Sequence, residues 1–400
     1  MRSATSDHHP MHDTPGLPLV FCSPLRYVQG PGVSRQLATE MRAVGLEGPV
    51  LISAGNTAIA ALAPAWADSF AEAGWTHRVF AFGGESSRRE IAAIAAEASA
   101  CGARTIVGAG GGKTLDAARA AAAARGLPFV SCPTVCSTDA PTSALSVIYA
   151  DEGPGRGSVE GYEIHRRSPD LVLVDTRVIA ESPPRFLAAG IGDALSTYYE
   201  ARAAAAAGAA NMRGGRSTLA ALELARLCRD VVFEHGAAAL AACRRRVVDD
   251  PFERVVEAAT LLSGLGFESA GLAAAHAVHN GLTAIPTTHG LLHGEKVAFG
   301  TLVHLMLEAQ RSTGEVARAD AEAEAQRVAE FLVGVGLPVT LGELGIDAAD
   351  AHAIAAVAER ATAPGETIHA MPFPVDAAGV VTAIAAADAI GRAARGNQPS

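Results

Sequence analysis

Thr105-Ile106-Val107-Gly108-Ala109-Gly110-Gly111-Gly112-Lys113-Thr114-Leu115-Asp116 reads as a strand running through a glycine turn into a helix. Glycines let a backbone approach a diphosphate closely, and a helix start offers oriented N–H donors with partial positive charge. Two familiar phosphate-loop templates fail. Gly-x-x-x-x-Gly-Lys-Ser/Thr needs glycine at Val107, and Gly-x-Gly-x-x-Gly needs glycine at Lys113. The stretch is therefore a phosphate loop of another pattern, with Lys113 as a point charge. A tight strand-to-helix turn is its plainer reading.

Outward from this turn, short apolar runs alternate with helical stretches. Val50–Ile52, Val79–Phe82, Leu127–Ser131 and Leu171–Val174 are predicted strands, and 58–70 is a predicted helix. Ser87-Arg88-Arg89-Glu90 predicts a capping box at the start of another. Such alternation predicts a parallel, doubly wound sheet. The four glycines and one proline of Gly153–Gly161 predict a hairpin or flexible excursion. From Pro184 onward, long Ala/Leu/Glu/Arg segments replace strands. The chain therefore divides into a disordered tail over 1–16, an α/β domain over 17–180 and an all-α domain over 181–400.

A net charge of −10 argues against nucleic acid or an anionic membrane as the main partner, and leaves room for a small anionic ligand held locally. The six cysteines lack CxxC spacing and read as reduced thiols of a cytoplasmic protein. No secretory leader opens the chain, and no apolar run of spanning length is free of Arg, Asp or Gly.

Three blocks carry chemistry. Pro133–Tyr149 gathers hydroxyls (Thr134, Ser137, Thr138, Thr142, Ser143, Ser146) around Asp139 just after a strand, where the sheet edge binds ligands. Alone, it would be a Ser/Thr-rich cap. Gly190-Ile191-Gly192-Asp193 opens a helix in which Asp193 by itself would be an N-cap. His276-Ala277-Val278-His279-Asn280 places two histidines one turn apart, and His289 to His293 follows Pro286. A lone helical histidine is usually core. Two clusters with a carboxylate make a metal site an even alternative, and two His plus one acid leave a coordination position open, for zinc or iron(II).

These blocks, with Ser23–Gly30, Phe82–Glu85, Gly264–Ala284, His293–Gly300 and Gly365–His369, resemble the glycerol dehydrogenase branch of the metal-dependent, iron-containing alcohol dehydrogenases over about residues 20 to 395. The resemblance implies a dinucleotide-binding N-terminal domain, a helical metal-binding domain and an active site between them. It implies Asp193, His276 and His293 as metal ligands. It implies Gly110, Gly111, Gly112, Lys113, Asp116, Thr134 and Ser137 as NAD contacts, with Ser143, Leu145 and Tyr149 on the nicotinamide side. Asp139 would meet a substrate hydroxyl, and His279 and His289 would stand behind the ligands or line the pocket. Two departures stand out. Thr197 occupies the place of a fourth ligand histidine, which fits the three-ligand branch and zinc. Ile52-Ser53-Ala54-Gly55-Asn56 lacks the acid that holds the adenosine ribose, which leaves NADP open beside NAD. The implied reaction takes hydride from a secondary alcohol of a small polyol (glycerol, propane-1,2-diol), in a homo-oligomer. The alternatives are a 2-hydroxy or 2-oxo acid dehydrogenase on the same scaffold, and a lyase resembling dehydroquinate synthase. The lyase would need several basic residues near the histidines, where only Lys296 qualifies.

Overall fold

The structure, a computed structural model, describes residues 16–151 and 159–396. The expected tail lies outside the described residues apart from Gly16, as does most of the Gly153–Gly161 segment. Eight strands occur among the described residues: β1 Tyr27–Gly30, β2 Val50–Ala54, β3 His77–Ala81, β4 Thr105–Gly110, β5 Phe129–Pro133, β6 Leu145–Tyr149, β7 Val159–Ile164 and β8 Leu171–Asp175. Six form one sheet in the order β1-β8-β5-β4-β2-β3, every neighbouring pair parallel.

β2, β4, β5 and β8 are buried throughout, because helices cover both faces. One face packs Leu37, Met41, Trp66 and Phe70, from the Leu37–Ala43 and Asn56–Ala73 helices, on Ile52 and Val107. The other packs Ile94 and Ala98 of Arg88–Ala100 and Ala117 and Ala121 of Gly112–Arg125 on Leu51 and Ile106. From β2 the chain steps to the edge strand β3, then recrosses to β4 and continues the opposite way. This reversal leaves a crevice outside the carboxyl ends of β2 and β4, where open α/β sheets bind their ligands.

Three local expectations change. β1 was not predicted as a strand; it has four half-buried residues, too few and too mixed to show a period. Ser87 caps its helix by accepting from the Glu90 N–H at 3.2 Å, but the Glu90 carboxylate accepts from Gly83 N–H at 2.6 Å, so the reciprocal half of the box is spent on the preceding turn. The last five residues of Pro133–Tyr149 form β6, paired antiparallel with β7 in a separate two-stranded sheet, so a hairpin stands beside the parallel sheet.

The last sheet strand ends at Asp175 and the first long helix of the second half begins at Pro184. That helix, Pro184–Ala206, is the spine of the second half and crosses His293–Arg311. The crossing is unusually close because glycines form it. A Cβ on Gly192 would stand 2.6 Å from the Gly294 carbonyl oxygen, and one on Gly294 would stand 1.8 Å from the Ala189 carbonyl oxygen. The Ala377–Gly396 helix is long and apolar enough to cross a membrane, yet it packs against three other helices of this half.

Candidate active site

The Gly112–Arg125 helix starts from Gly111 in extended conformation, and no side chain caps it. Thr134 N–H donates to the Gly110 carbonyl at 3.0 Å, which ties the end of β5 beside the glycine turn. Lys113 Nζ stands 2.9 Å from Glu85 and 4.5 Å over the Tyr149 ring. Tyr149 N–H in turn donates to the Ser86 carbonyl at 2.8 Å. The lysine thus spans the ends of three segments around the crevice. Thr134 and Ser137 are partly exposed beside it.

Asp116 points elsewhere. Its buried carboxylate accepts from Arg119 at 2.7 Å and from Val147 N–H at 3.1 Å, and its carbonyl accepts from the Ser146 hydroxyl at 2.9 Å. Arg119, 2% exposed, also donates to the Ala140 carbonyl at 2.6 Å and to that of Leu145. Ser143, likewise buried, faces the Ala140 carbonyl at 3.4 Å. The Asp116–Arg119 pair therefore pins β6 against the glycine-loop helix.

Across the crevice, three helices supply one carboxylate and two imidazoles. Asp193 does not cap its helix, as it would if the helix began near Gly190; the helix starts at Pro184, nine residues before Asp193, which lies mid-helix. His276 comes from Ala274–Leu282, and His293 is the first residue of His293–Arg311. Asp193 Oδ1 lies 3.1 Å from His293 Nε2 and 3.6 Å from His276 Nε2. One ligand atom from each residue falls within 4.8 Å of the others, which fits a single ion. Asp193 is fully buried, and its Oδ1 has no hydrogen-bond partner. An orphaned buried carboxylate oxygen facing two imidazole nitrogens is what a divalent cation satisfies. Burial alone would raise the Asp193 carboxyl, but His293 and His276 overcome it and hold the group ionised far into acid.

Asp139 stands next to this centre, 7% exposed. Its N–H donates to Asp193 Oδ2 at 3.1 Å, and its Oδ2 accepts from the Ser263 hydroxyl at 2.9 Å. Burial and the Asp193 charge push its carboxyl well above the usual range. Thr197 Oγ1 lies 2.8 Å from Ser263 Oγ. In place of a fourth ligand, Thr197 thus steadies the hydroxyl that holds Asp139. His279 packs on His293 with ring centroids 4.2 Å apart, and burial together with the charges of His293 and Lys296 pulls it well below its ordinary pKa. His289, by contrast, turns to the Thr283 carbonyl at 3.0 Å on the outside.

Sequence reading missed Glu200 and Ser263. Glu200 follows Asp193 by seven residues, two turns on one helical face, and that spacing was the available signal. Ser263 follows a π-helical turn, Ala258–Leu262, that has no sequence mark.

A glycine-lined helix start facing two histidines gathered on a buried carboxylate across a sheet-edge crevice defines the class: a dinucleotide-linked, metal-dependent oxidoreductase. Comparison narrows it. The sequence model of iron-containing alcohol dehydrogenases matches residues 24–176. Glycerol dehydrogenase of Escherichia coli O6:H1 is 46% identical over 376 residues, 93% of this chain and 97% of that one. Glycolaldehyde reductase of Halobacterium salinarum is 45% identical over 376 residues, 94% of this chain and 99% of that one. The crystal structure of glycerol dehydrogenase from Schizosaccharomyces pombe superposes with a TM-score of 0.87 at 35% identity, covering 96% of this chain and 94% of the other. The chain belongs to the iron-containing alcohol dehydrogenase family, among its glycerol dehydrogenases.

Proposed function

We propose that this enzyme oxidises the secondary alcohol of a small polyol, glycerol to dihydroxyacetone or propane-1,2-diol to the ketone, with NAD as hydride acceptor. The observation that carries the reading is the convergence of Asp193, His276 and His293 with Asp139 tied directly to Asp193. The named activities of the Escherichia coli and Schizosaccharomyces pombe relatives support it.

Asp193 through Oδ1, and His276 and His293 through Nε2, would hold the metal. When bound, a divalent metal supplies Lewis acidity to an alcohol and the nicotinamide accepts the hydride; zinc suits these donors, and iron(II) fits them too. Gly110, Gly111, Gly112 and Lys113 take the diphosphate of the dinucleotide at an uncapped helix start. Thr134 and Ser137 flank it, and Ser143, Leu145 and Tyr149 shape the nicotinamide side. Asp116 serves the cofactor through Arg119, by fixing the strand from which Leu145 and Tyr149 project.

Asp139 holds the hydroxyl next to the reacting one, which favours a vicinal diol over a simple alcohol. His279 Nδ1 faces Asn280 Oδ1 at 3.1 Å and so carries the proton, leaving Nε2 to relay the alcohol proton onward to water without retaining it. The crevice between the α/β half, up to about residue 180, and the helical half would shield the hydride path from bulk water once both ligands are bound. The enzyme works in the cytoplasm as a homo-oligomer, for which Leu19 and Leu219, 61% and 82% exposed, supply apolar surface.

A steady-state screen of glycerol, propane-1,2-diol, 2-hydroxy acids and monohydric alcohols with NAD, alongside metal analysis of the same sample, tests the proposal. Highest kcat/KM on a vicinal diol with about one metal per chain is expected. Highest kcat/KM on a 2-hydroxy acid would reassign the substrate.

A further inference from the structure

Glu200 sits in the core at 0% exposure, on the same face of the Pro184–Ala206 helix as Asp193. Three donors converge on its two oxygens. Oε1 accepts the backbone N–H groups of Ala273 and His276, each at 2.9 Å, and Oε2 lies 2.5 Å from His276 Nδ1. Those backbone groups open the Ala274–Leu282 helix, which no side chain of its own caps. One carboxylate therefore fixes both the backbone and the ring of the same residue.

We propose that Glu200 is the positioning residue of this centre, setting the tautomer of His276 so that its Nε2 lone pair faces the metal. A neutral imidazole carries one proton, and the nitrogen beside a carboxylate acceptor keeps it. With the proton on Nδ1, Nε2 is free in the direction of Asp193 and His293. The charge balance agrees. Asp193 and Glu200 are both fully buried carboxylates, and a divalent cation is their natural counterweight. This role rests on the metal reading of Asp193, His276 and His293.

Glu200→Gln separates positioning from mere packing. A carboxamide has one acceptor oxygen for donors arriving from two directions, so its NH2 must face either the ring N–H or the helix start. If it faces the ring, the proton moves to Nε2 and blocks the ligand position. Zinc affinity, measured by competition with a chromophoric chelator, is expected to fall about 10- to 100-fold. Cobalt-substituted enzyme should show an altered visible spectrum, and the metal-free chain should melt close to wild type. Should Glu200→Gln not fold, Glu200→Asp keeps the charge but draws it back by one methylene, and must weaken zinc as well. Zinc affinity within twofold of wild type in whichever variant folds would overturn the role, whatever happens to melting. Failure of the wild-type chain to bind zinc would overturn the site reading itself, and this inference with it.

Discussion

Asp193 Oδ1 stands 3.1 Å from His293 Nε2, wholly buried and without a hydrogen bond of its own. An ionised oxygen left in that state costs several kcal/mol unless a cation completes it. Asp193→Asn or His276→Ala is therefore expected to strip the metal and lower turnover about a thousandfold or more. Dinucleotide affinity should stay within a few-fold, since Gly110–Lys113 lies on the other side of the crevice. Metal analysis and fluorescence titration with NADH read the two effects separately, and full turnover in a metal-free variant would disprove the assignment.

The centre also depends on how closely two helices cross. Gly294→Ala would place a methyl group 1.8 Å from the Ala189 carbonyl oxygen, against backbone that cannot yield like a side chain. Because His293 is the residue before Gly294 and Asp193 follows Ala189 by one turn, prying the crossing apart would spread the Asp193–His293 pair. A stability loss of about 1–3 kcal/mol and reduced zinc affinity are expected. Thermal melts and chelator competition check both, and unchanged values would mean the crossing absorbs a methyl freely.

Much of this arrangement was legible beforehand, for identifiable reasons. Buried parallel strands are built on short apolar runs, such as Val50–Ile52 in Val50–Ala54, and the glycine turn after β4 announces its helix. Asp193, His276 and His293 stood in recognisable blocks. What sequence concealed depends on tertiary partners. Nothing local says that Gly192 and Gly294 exist for a helix crossing, or that Asp193 lies mid-helix instead of at its start. Asp116 sits in the glycine-loop helix like a cofactor contact, yet its partners, Arg119 and Val147, show only once β6 has folded back. β1 is too short to betray a period.

Asp139 is held by a chain from Thr197 through Ser263, so its aim is separable from its charge. Asp139→Ala should cost more kcat/KM with glycerol than with a monohydric secondary alcohol, by about tenfold, roughly one hydrogen bond to a charged or strongly polar group. Ser263→Ala should show the same selectivity at smaller size. Equal losses on both substrates would make Asp139 structural.

In the proposed binding mode the adenosine ribose of the dinucleotide would lie where β2 ends, beside β4. No carboxylate stands in 52–57, and a Cβ at Gly55 would meet nothing within 4 Å. A 2′-phosphate bound there would meet no carboxylate from this segment. Wild-type enzyme should discriminate NAD from NADP by less than about tenfold, and Gly55→Asp should widen the gap by about tenfold or more through ribose hydrogen bonding and phosphate repulsion. Steady-state kinetics with both nucleotides decides the matter; a wild-type preference above about a thousandfold would place the selectivity elsewhere.

Lys296 lies one turn beyond His293 and is only 7% exposed. Burial, then the charge of Lys113, pull its pKa from the usual 10.5 down to about 8, with Glu295 opposing. The sign follows from proton counts. Below pH 8 the lysine is charged folded and unfolded, and the native state bears the whole cost of a buried ammonium. Between about 8 and 10.5 the unfolded chain binds more protons, so stability rises with pH; above that range the cost is gone. At about 1.4 kcal/mol for each pKa unit, that cost is on the order of 3 kcal/mol. Denaturant melts of metal-free wild type and Lys296→Met should therefore converge or diverge by that amount across the window, wild type gaining relative to the variant as pH rises. Parallel curves would mean the ammonium reaches water in the native crevice. Saturating NADH should flatten the wild-type slope, because a bound diphosphate near Lys113 favours the charged lysine.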